Sequence, residues 1–556
     1  MLPPKDKFVI NDPPQAEYDY IIIGAGSAGC ILAERLSASG EFTVLLLEAG
    51  GTDNHPWFKM PMGYGKLYYN PRYNWMYYTT PQVQLDHRNL YVPRGKVRGG
   101  SGAINAMIYV RGAAQDFEDW ATATGDSGWA YDSVLPYFKK LENHWNPNTQ
   151  WHGQAGKIHV SSLRSGMHPV CNSFLAACRE LGYHENADFN GAQLEGFGVY
   201  DVNIDKGIRD SSSRAYLQPA LKRANLMVLT HSLVQQIVVD EQKRAIAVKV
   251  TTGRTSRTCT ARKEILLCAG AVDSPKLLEL SGIGDGAHLQ NLGIPVVKHL
   301  PQVGERLQDH LCASYYYKTN VPTLNEPFNS LIQQAKMGLQ YVLFKNGPLA
   351  LSVNQTGGFF KTQPSLSQPN IQLYFNPLSY TIPKDGKVAI KTDPYPGVLL
   401  AVAACRPTSR GRVHAVSTDH TVAPAINPNY LSTDKDIEDA LAGSHLMRQI
   451  VASPRLQQVI TEETIPSTQM QTDEQMLEFF RANSGSIYHL CGSCAMGKTE
   501  ADSVVDSQLR VHGVQGLRVV DASVFPNVTS GNTNAPVMML AERAADLILK
   551  ARTAAS

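Results

Sequence analysis

Tyr18-Asp-Tyr-Ile-Ile-Ile23 runs without a spacer into Gly24-Ala-Gly26-Ser-Ala-Gly29, and this junction restricts the fold more than any other feature of the chain. The apolar, β-branched run reads as a buried strand. Behind the glycines, Ala28, Leu32, Ala33 and Leu36 recur at helical spacing, Gly40 closes the helix, and Thr43 to Leu47 reads as a second strand ending at Glu48. The order is that of a β-α-β unit. Its first glycine makes the tight turn, the second lets backbone approach a pyrophosphate, and the third lets the helix lie against the sheet. A diphosphate would then meet a helix N-terminus. Glu48, 24 residues beyond Gly24, stands where a carboxylate accepts hydrogen bonds from an adenosine ribose and disfavours a 2′-phosphate. The unit predicts dinucleotide binding and leaves FAD and NAD open.

A chain of 556 residues has room for two or three domains at ~100–200 residues each. Lys+Arg 51 against Asp+Glu 49 leaves a formal charge of +2, without the long one-sign block that draws a chain to nucleic acid or anionic lipid. No run reaches the ~18 consecutive apolar residues of a spanning helix, and the first residues lack the apolar core of a secretory signal, so a cytoplasmic protein without a transmembrane segment is expected. Nine cysteines, an odd count without framework spacing, suit reduced thiols. Residues 1–15, with four prolines, read as an N-terminal surface arm.

Two further glycine-rich segments separate the cofactors. Arg94-Gly-Lys-Val-Arg-Gly-Gly-Ser-Gly102 is followed by Asn105 and an apolar stretch to Gly112, and Gly95, Gly99, Gly100 and Gly102 let backbone press on a flat ligand whose edge Asn105 can bond. After the strand-like Glu264 to Cys268 comes Gly270-Ala-Val-Asp-Ser274-Pro275, in which Ser274-Pro275 is expected to open a helix that Gly282 closes. With these segments the chain resembles the glucose–methanol–choline (GMC) family of flavin oxidoreductases, most closely its choline-dehydrogenase-like branch, from about Tyr18 to about Leu549. Val303-Gly-Glu-Arg-Leu-Gln-Asp309-His310 and Leu517-Arg-Val-Val-Asp521-Ala522 match as well. Arg98 departs from the pattern, standing where the family usually has an aliphatic residue.

The resemblance implies FAD. It assigns Gly24, Gly26, Gly29 and Glu48 to the ADP half and the backbone of Val234 to adenine. Val97, Gly100, Ser101, Asn105 and Met107 would line the isoalloxazine, with Asp521 and Ala522 at the pyrophosphate and ribityl chain. Some relatives link FAD through a histidine in the first glycine-rich segment, but residues 94–112 hold none, so non-covalent FAD is expected. No metal is expected.

Alcohol oxidation removes a hydroxyl proton and a hydride from one carbon, so it needs a base at the oxygen and flavin N5 at the C–H. By the resemblance, His489 of Tyr488-His-Leu-Cys491-Gly-Ser-Cys494 is that base. Asn532, in Thr529-Ser-Gly-Asn532-Thr-Asn534, would hold the substrate oxygen but cannot take a proton at neutral pH; the bland alternative for Asn532 and Asn534 is helix capping. Behind them Val537, Leu540, Ala541, Ala544 and Ile548 give a helical apolar face. The Cys491/Cys494 spacing could suit a dithiol or half a zinc site, and Cys405-Arg406 suggests a photodecarboxylase. Neither outweighs the alcohol reading.

The expected reaction oxidises a primary alcohol to the aldehyde. The electron acceptor is a quinone, a dye or oxygen, with the likeness to dehydrogenases favouring the first two and leaving open a peripheral membrane contact through the acceptor. An oxidase producing hydrogen peroxide, and a flavin lyase or photodecarboxylase, are the alternatives. The expected fold is α/β plus α+β: a discontinuous Rossmann-like FAD-binding domain (16–150, 195–312 and 484–556) with an inserted antiparallel-sheet substrate-binding domain (151–194 and 313–483). Strands are expected at Asn370 to Phe375, Val398 to Ala404 and Arg412 to Val416 of one substrate-domain sheet. Trp57, Phe58, Trp75, Tyr77, Tyr78 and Tyr315 to Tyr317 offer aromatic lining for an apolar or cationic substrate.

Overall fold

The computed structural model describes residues 16–381, 391–466, 470 and 472–553; the predicted N-terminal arm lies outside them. The strand Glu17–Ile23 pairs in parallel with Val44–Leu47 on one side and with the long strand Thr255–Leu267 on the other. Leu226–Leu229 extends the sheet beyond Val44–Leu47, and Leu517–Val519 pairs in parallel with Ile265 to Leu267. The two hairpin strands Ser232–Val239 and Ala245–Thr252 complete seven strands. Ile21, Ile22, Leu45, Leu46, Ile265 and Leu266 are fully buried, as both faces of a covered parallel sheet require. This body is discontinuous because the last strand of the described residues completes a sheet that their first strand began.

The second sheet is antiparallel throughout and runs Ile460–Ile465, Leu311–Thr319, Gly397–Ala404, Ile371–Asn376, Thr356–Phe360, Gly196–Val199, with Gly485–Ser486 also beside Leu311–Thr319. Its pleat sorts side chains by period 2. Ala313, Tyr315, Tyr317, Leu373, Phe375, Leu400 and Val402 join a core completed by Met447, Ile450 and Phe480. Cys312, Ser314, Tyr316, Tyr374, Asn376, Leu399 and Ala401 point the other way and line a cavity.

Four local expectations are corrected. Gly196–Val199, placed with the FAD-binding residues, is an edge strand of the second sheet because it pairs with Thr356 to Phe359. The Arg412 strand does not join that sheet: Gly411–His414 pairs with Glu305–Leu307 and Ala425–Asn427, and Val413 and Ile426 bury against Ala271 and Val272 of the first body. Of residues 151–194, Ile158–Ser162 belongs to a small separate sheet, while the helix Cys171–Glu180 packs on the second sheet's core. The helix expected to open at Ser274-Pro275 starts at Gly270 and runs to Leu280. Pro275 inside it leaves the Ala271 carbonyl without its helical donor, and the Ser493 hydroxyl donates to that carbonyl at 2.6 Å.

Beyond the second glycine segment, Arg111 is clamped by the buried Glu142. Arg111 Nη2 donates to both carboxylate oxygens at 2.7 and 2.6 Å, Nε adds 2.9 Å, and the Tyr109 hydroxyl donates at 2.7 Å. Burial alone would raise the Glu142 carboxyl, but Arg111 and His152 overcome it and hold it at about 2. A carboxyl depressed in this way stabilises the fold above its unfolded value of about 4.5 and loses that contribution as pH falls toward 2. Glu142→Gln strands a buried guanidinium and is expected to destabilise the protein by about 3–5 kcal/mol, read as a lowered urea midpoint at pH 7. The parent's own midpoint should fall between about pH 5 and pH 2 more steeply than the variant's.

Candidate active site

A cavity of about 1250 Å³ lies between the two sheets, lined by residues from Ile23 to Val537. Its floor is built by close approach of backbone. A Cβ on Gly29 would stand 1.9 Å from the Gly24 carbonyl oxygen, so only glycine lets the Ser27–Ser37 helix sit on its strand. Gly100, with φ +54°, brings the second glycine segment against the first, where its Cβ would be 2.8 Å from Gly26 Cα. A Cβ on Gly26 would meet protein only at 3.9 Å, so this glycine opens on the cavity. The Ser27 hydroxyl donates to Asn534 Oδ1 at 2.8 Å, tying the start of one helix to the start of the C-terminal helix Asn534–Thr553.

Three helices of eleven, eleven and twenty residues therefore direct their N-termini, at Ser27, Gly270 and Asn534, to one cavity. Their combined positive ends suit a diphosphate and negative charge on a reduced ring. Glu48 lies at the cavity edge and accepts from the Ala25 and Gly50 amides at 2.9 and 2.8 Å. Burial raises its carboxyl to about 7 against those two bonds, and its remaining lone pairs are available to a ribose. Asp521 accepts from the Gly270 amide (2.9 Å), the Ser274 hydroxyl (2.6 Å) and the Ser523 amide (2.8 Å). Its carboxylate thus fixes the helix start at Gly270 and stands beside Ala522 at the cavity wall. Along the Ser232–Val239 strand the pairing slips between Val234 and Gln236, interrupting the ladder beside the cavity-lining Val234, where the adenine contact was expected. Glycine-floored and met by three helix N-termini, the cavity fits FAD.

Gly24, Gly26, Glu48, Gly100, Ser101, Asn105, Met107, Val234, Asp521, Ala522, His489 and Asn532 all line this cavity. Gly29 acts from behind it. Val97 does not line it: its side chain is fully buried with Phe58, Leu67, Tyr73 and Ile104, so it supports the loop rather than a flavin face. Arg98 is explained by Asp53, a buried partner at 3.0 Å. Asn105 Oδ1 accepts from the Met107 amide (3.0 Å) and from Arg209 Nη1 (2.7 Å). Arg209 is a buried cation that burial lowers to about 10, and no motif signalled it.

The chemistry is concentrated at His489. His310 Nε2 lies 2.9 Å from the Cys405 carbonyl, which can only accept, so this nitrogen bears the proton. Burial lowers His310 to about 4, so the ring is neutral and its Nδ1 is a lone pair. His489 Nδ1, 2.8 Å away, must then donate to it. The remaining nitrogen, His489 Nε2, is an acceptor and takes a bond from Asn532 Nδ2 at 3.2 Å. Gln372 Nε2 donates to Asn532 Oδ1 at 3.5 Å and so orients the amide. Asp309 completes the support by accepting from the His489 amide (2.7 Å) and from the Tyr430 hydroxyl (2.5 Å). The Asp309-His310 pair was legible as a motif, but its role was not, because its partner His489 lies 179 residues further along the chain.

The remaining sequence signals have structural uses. Cys491 exchanges backbone bonds with Gln308, and burial pushes the Cys491 and Cys494 thiols up. Neither Cys405 nor Arg406 lines the cavity, and Arg406 pairs with Asp119. Of the predicted aromatics, Trp57, Trp75 and Tyr316 line the cavity. Tyr64, Tyr68, Tyr374, Tyr380 and Tyr488, which the sequence did not single out, line it as well.

GMC oxidoreductase family profiles match residues 18–312 and 407–541. An oxygen-dependent choline dehydrogenase of Vibrio vulnificus (strain YJ016) is 40% identical over 538 residues, covering 96% of this chain and 95% of its own. The crystal structure of pyridoxine 4-oxidase from Mesorbium loti superposes with a TM-score of 0.86 at 30% identity, covering 95% of this chain and 98% of its own. An FAD-dependent oxidoreductase from Chaetomium thermophilum reaches 0.88 at 27% identity, covering 96% and 100%.

Burial, then His310 and Arg94, lower His489 well below 6.5. A depressed base keeps its lone pair as pH falls through 6.5, so kcat/KM is expected to stay level across that value and to drop only at more acidic pH. A steady-state pH profile checks this; a break centred near 6.5 would count against His489 in this setting.

Proposed function

Because the chain belongs to the GMC oxidoreductase family of FAD-dependent enzymes acting on CH–OH donors, we propose that it oxidises a neutral primary alcohol to its aldehyde. In this reading FAD is held without a covalent bond, and the electrons pass to an acceptor other than oxygen. Bound FAD supplies the hydride acceptor. The observation that carries the reading is the unprotonated Nε2 of His489 beside the Asn532 amide within the cavity. Asn532 Nδ2 can move its hydrogen bond from His489 to a substrate oxygen, which brings that oxygen to Nε2. His489 then takes the hydroxyl proton and becomes imidazolium, while its Nδ1–H bond to His310 keeps the ring in place. Asn532 stabilises the developing alkoxide by the same N–H.

The cavity wall argues for a neutral substrate. Its lining carboxylates are Glu48, Asp273 and Asp521, and each accepts from protein donors, Asp273 from the Tyr77 hydroxyl at 2.8 Å. Among the described residues, the wall contributed by residues 312–401 holds no carboxylate to meet a cation, and Tyr64, Tyr68, Tyr316, Tyr374, Tyr380 and Tyr488 surround it with rings. Choline is the second reading, favoured by the relatives' names and by the attraction of those rings for a quaternary ammonium.

Anaerobic addition of an alcohol panel to the flavin-loaded enzyme tests both. Neutral aromatic and aliphatic primary alcohols should bleach the oxidised-flavin band, and faster than choline does. No bleaching by any alcohol would sink the oxidation reading, and faster bleaching by choline would select the second substrate. His489→Ala should slow bleaching by about 10²–10⁴-fold while the flavin band is retained. Parent-like rates in that variant would remove His489 from the reaction.

A further inference from the structure

The helix Leu331–Phe344 is packed with its apolar side outward. Only Met337 and Tyr341 are buried, and the Tyr341 hydroxyl reaches the Lys59 carbonyl at 3.3 Å. Leu331, Ile332, Leu339, Val342, Leu343 and Phe344 are 61–81% exposed. They are six of the fourteen exposed large apolar side chains among the described residues, and all but Phe344, which projects near Met337, form one patch and not the usual scatter. At 3.6 residues per turn, Leu331, Ile332, Ala335, Leu339, Val342 and Leu343 fall within an arc of about 120°, away from Met337 and Tyr341.

The chain's near-neutral total hides a local imbalance around this helix. Residues 327–381 contain no Asp or Glu, while Lys336 and Lys345 are exposed at the patch margin. Lys59 and Lys206 are exposed near the helix, Lys59 towards its inner side by the Tyr341 bond and Lys206 at its C-terminal end by the close approach of Gly207 to the Lys345 carbonyl. Nearby acids are engaged elsewhere: Asp205 pairs with Arg214 at 2.8 Å, and Glu326 accepts from the Thr323 amide at 3.0 Å. The inner side of the helix, with Gln334, Met337 and Gly338, walls the cavity. Fourteen residues make about 21 Å of helix, too short for a ~30 Å hydrocarbon core but suited to lying in its interface.

We propose that the Leu331–Phe344 helix docks this protein on the interfacial layer of an anionic lipid bilayer, placing the wall of the substrate cavity against lipid. A second copy of the chain is disfavoured as occupant, because pairing two such faces brings lysines together with no carboxylate of the described residues 327–381 between them. The docking extends the alcohol-oxidase or dehydrogenase reading without depending on it.

The test is co-sedimentation of the flavin-loaded enzyme with vesicles of phosphatidylcholine alone or mixed with phosphatidylglycerol. Binding is expected to the mixed vesicles, weaker to phosphatidylcholine alone, and reduced at high salt. Leu339→Glu/Leu343→Glu, at side chains that do not line the cavity, should cut vesicle binding about tenfold or more while alcohol-driven bleaching is unchanged. The proposal is overturned if the parent stays in the supernatant with mixed vesicles, or if the double variant pellets like the parent. It is overturned too if the parent is a dimer that the same substitutions dissociate. Vesicle binding needs no substrate, so a failure to bleach bears on the alcohol reading alone.

Discussion

Backbone lies against backbone at the centre of this protein. Gly29 meets Gly24, Gly100 meets Gly26, and Gly102 leaves room for Ser27 and Asn534, with a Cβ clash at 1.9, 2.8 and 2.6 Å if any of them carried a side chain. Contacts this close draw three segments, separated by up to 507 residues, onto one helix N-terminus. The first sheet needs the same convergence, since its strand Leu517–Val519 can pair with Thr255–Leu267 only once the chain has returned. The floor of the cavity and the sheet beneath it are thus parts of one packing event.

The roof obeys a different rule. In the antiparallel sheet, successive residues alternate between a dry core and the cavity, so Tyr315 and Tyr317 donate to Ser444 and Met447 while Tyr316, between them, faces the cavity. A one-residue slip of the Leu311–Thr319 strand would turn the aromatic wall inside out. Its neighbour Gly397–Ala404 holds that register without a break from Cys312 to Lys318, whereas the pairing with Ile460–Ile465 slips between Tyr316 and Tyr317 and between Lys318 and Thr319.

Between floor and roof, His489 is held from both directions. Its amide is bonded by Asp309, its Nδ1 by His310, and its Nε2 by Asn532. The Cys405 carbonyl at the end of the roof strand Gly397–Ala404 sets the direction of every proton in that series. A main-chain oxygen of the substrate side thereby determines which nitrogen of the histidine is free.

The β-α-β unit was legible because its determinants are local: a β-branched run, glycines at fixed offsets, and an acid at the next strand end. The expected site residues were legible only through their motifs, and one of them, Val97, does not reach the cavity because its side chain packs with neighbouring Phe58 and Tyr73. Sequence by itself determined that a dinucleotide-sized groove would form and which glycines would floor it, since those demands are steric and short in range. Tertiary structure alone decided which tyrosines face the cavity, which nitrogen of His489 accepts, and that Leu331–Phe344 shows its apolar side to the outside. Each of these depends on strand register or on partner atoms brought from distant parts of the chain, and no local pattern encodes that.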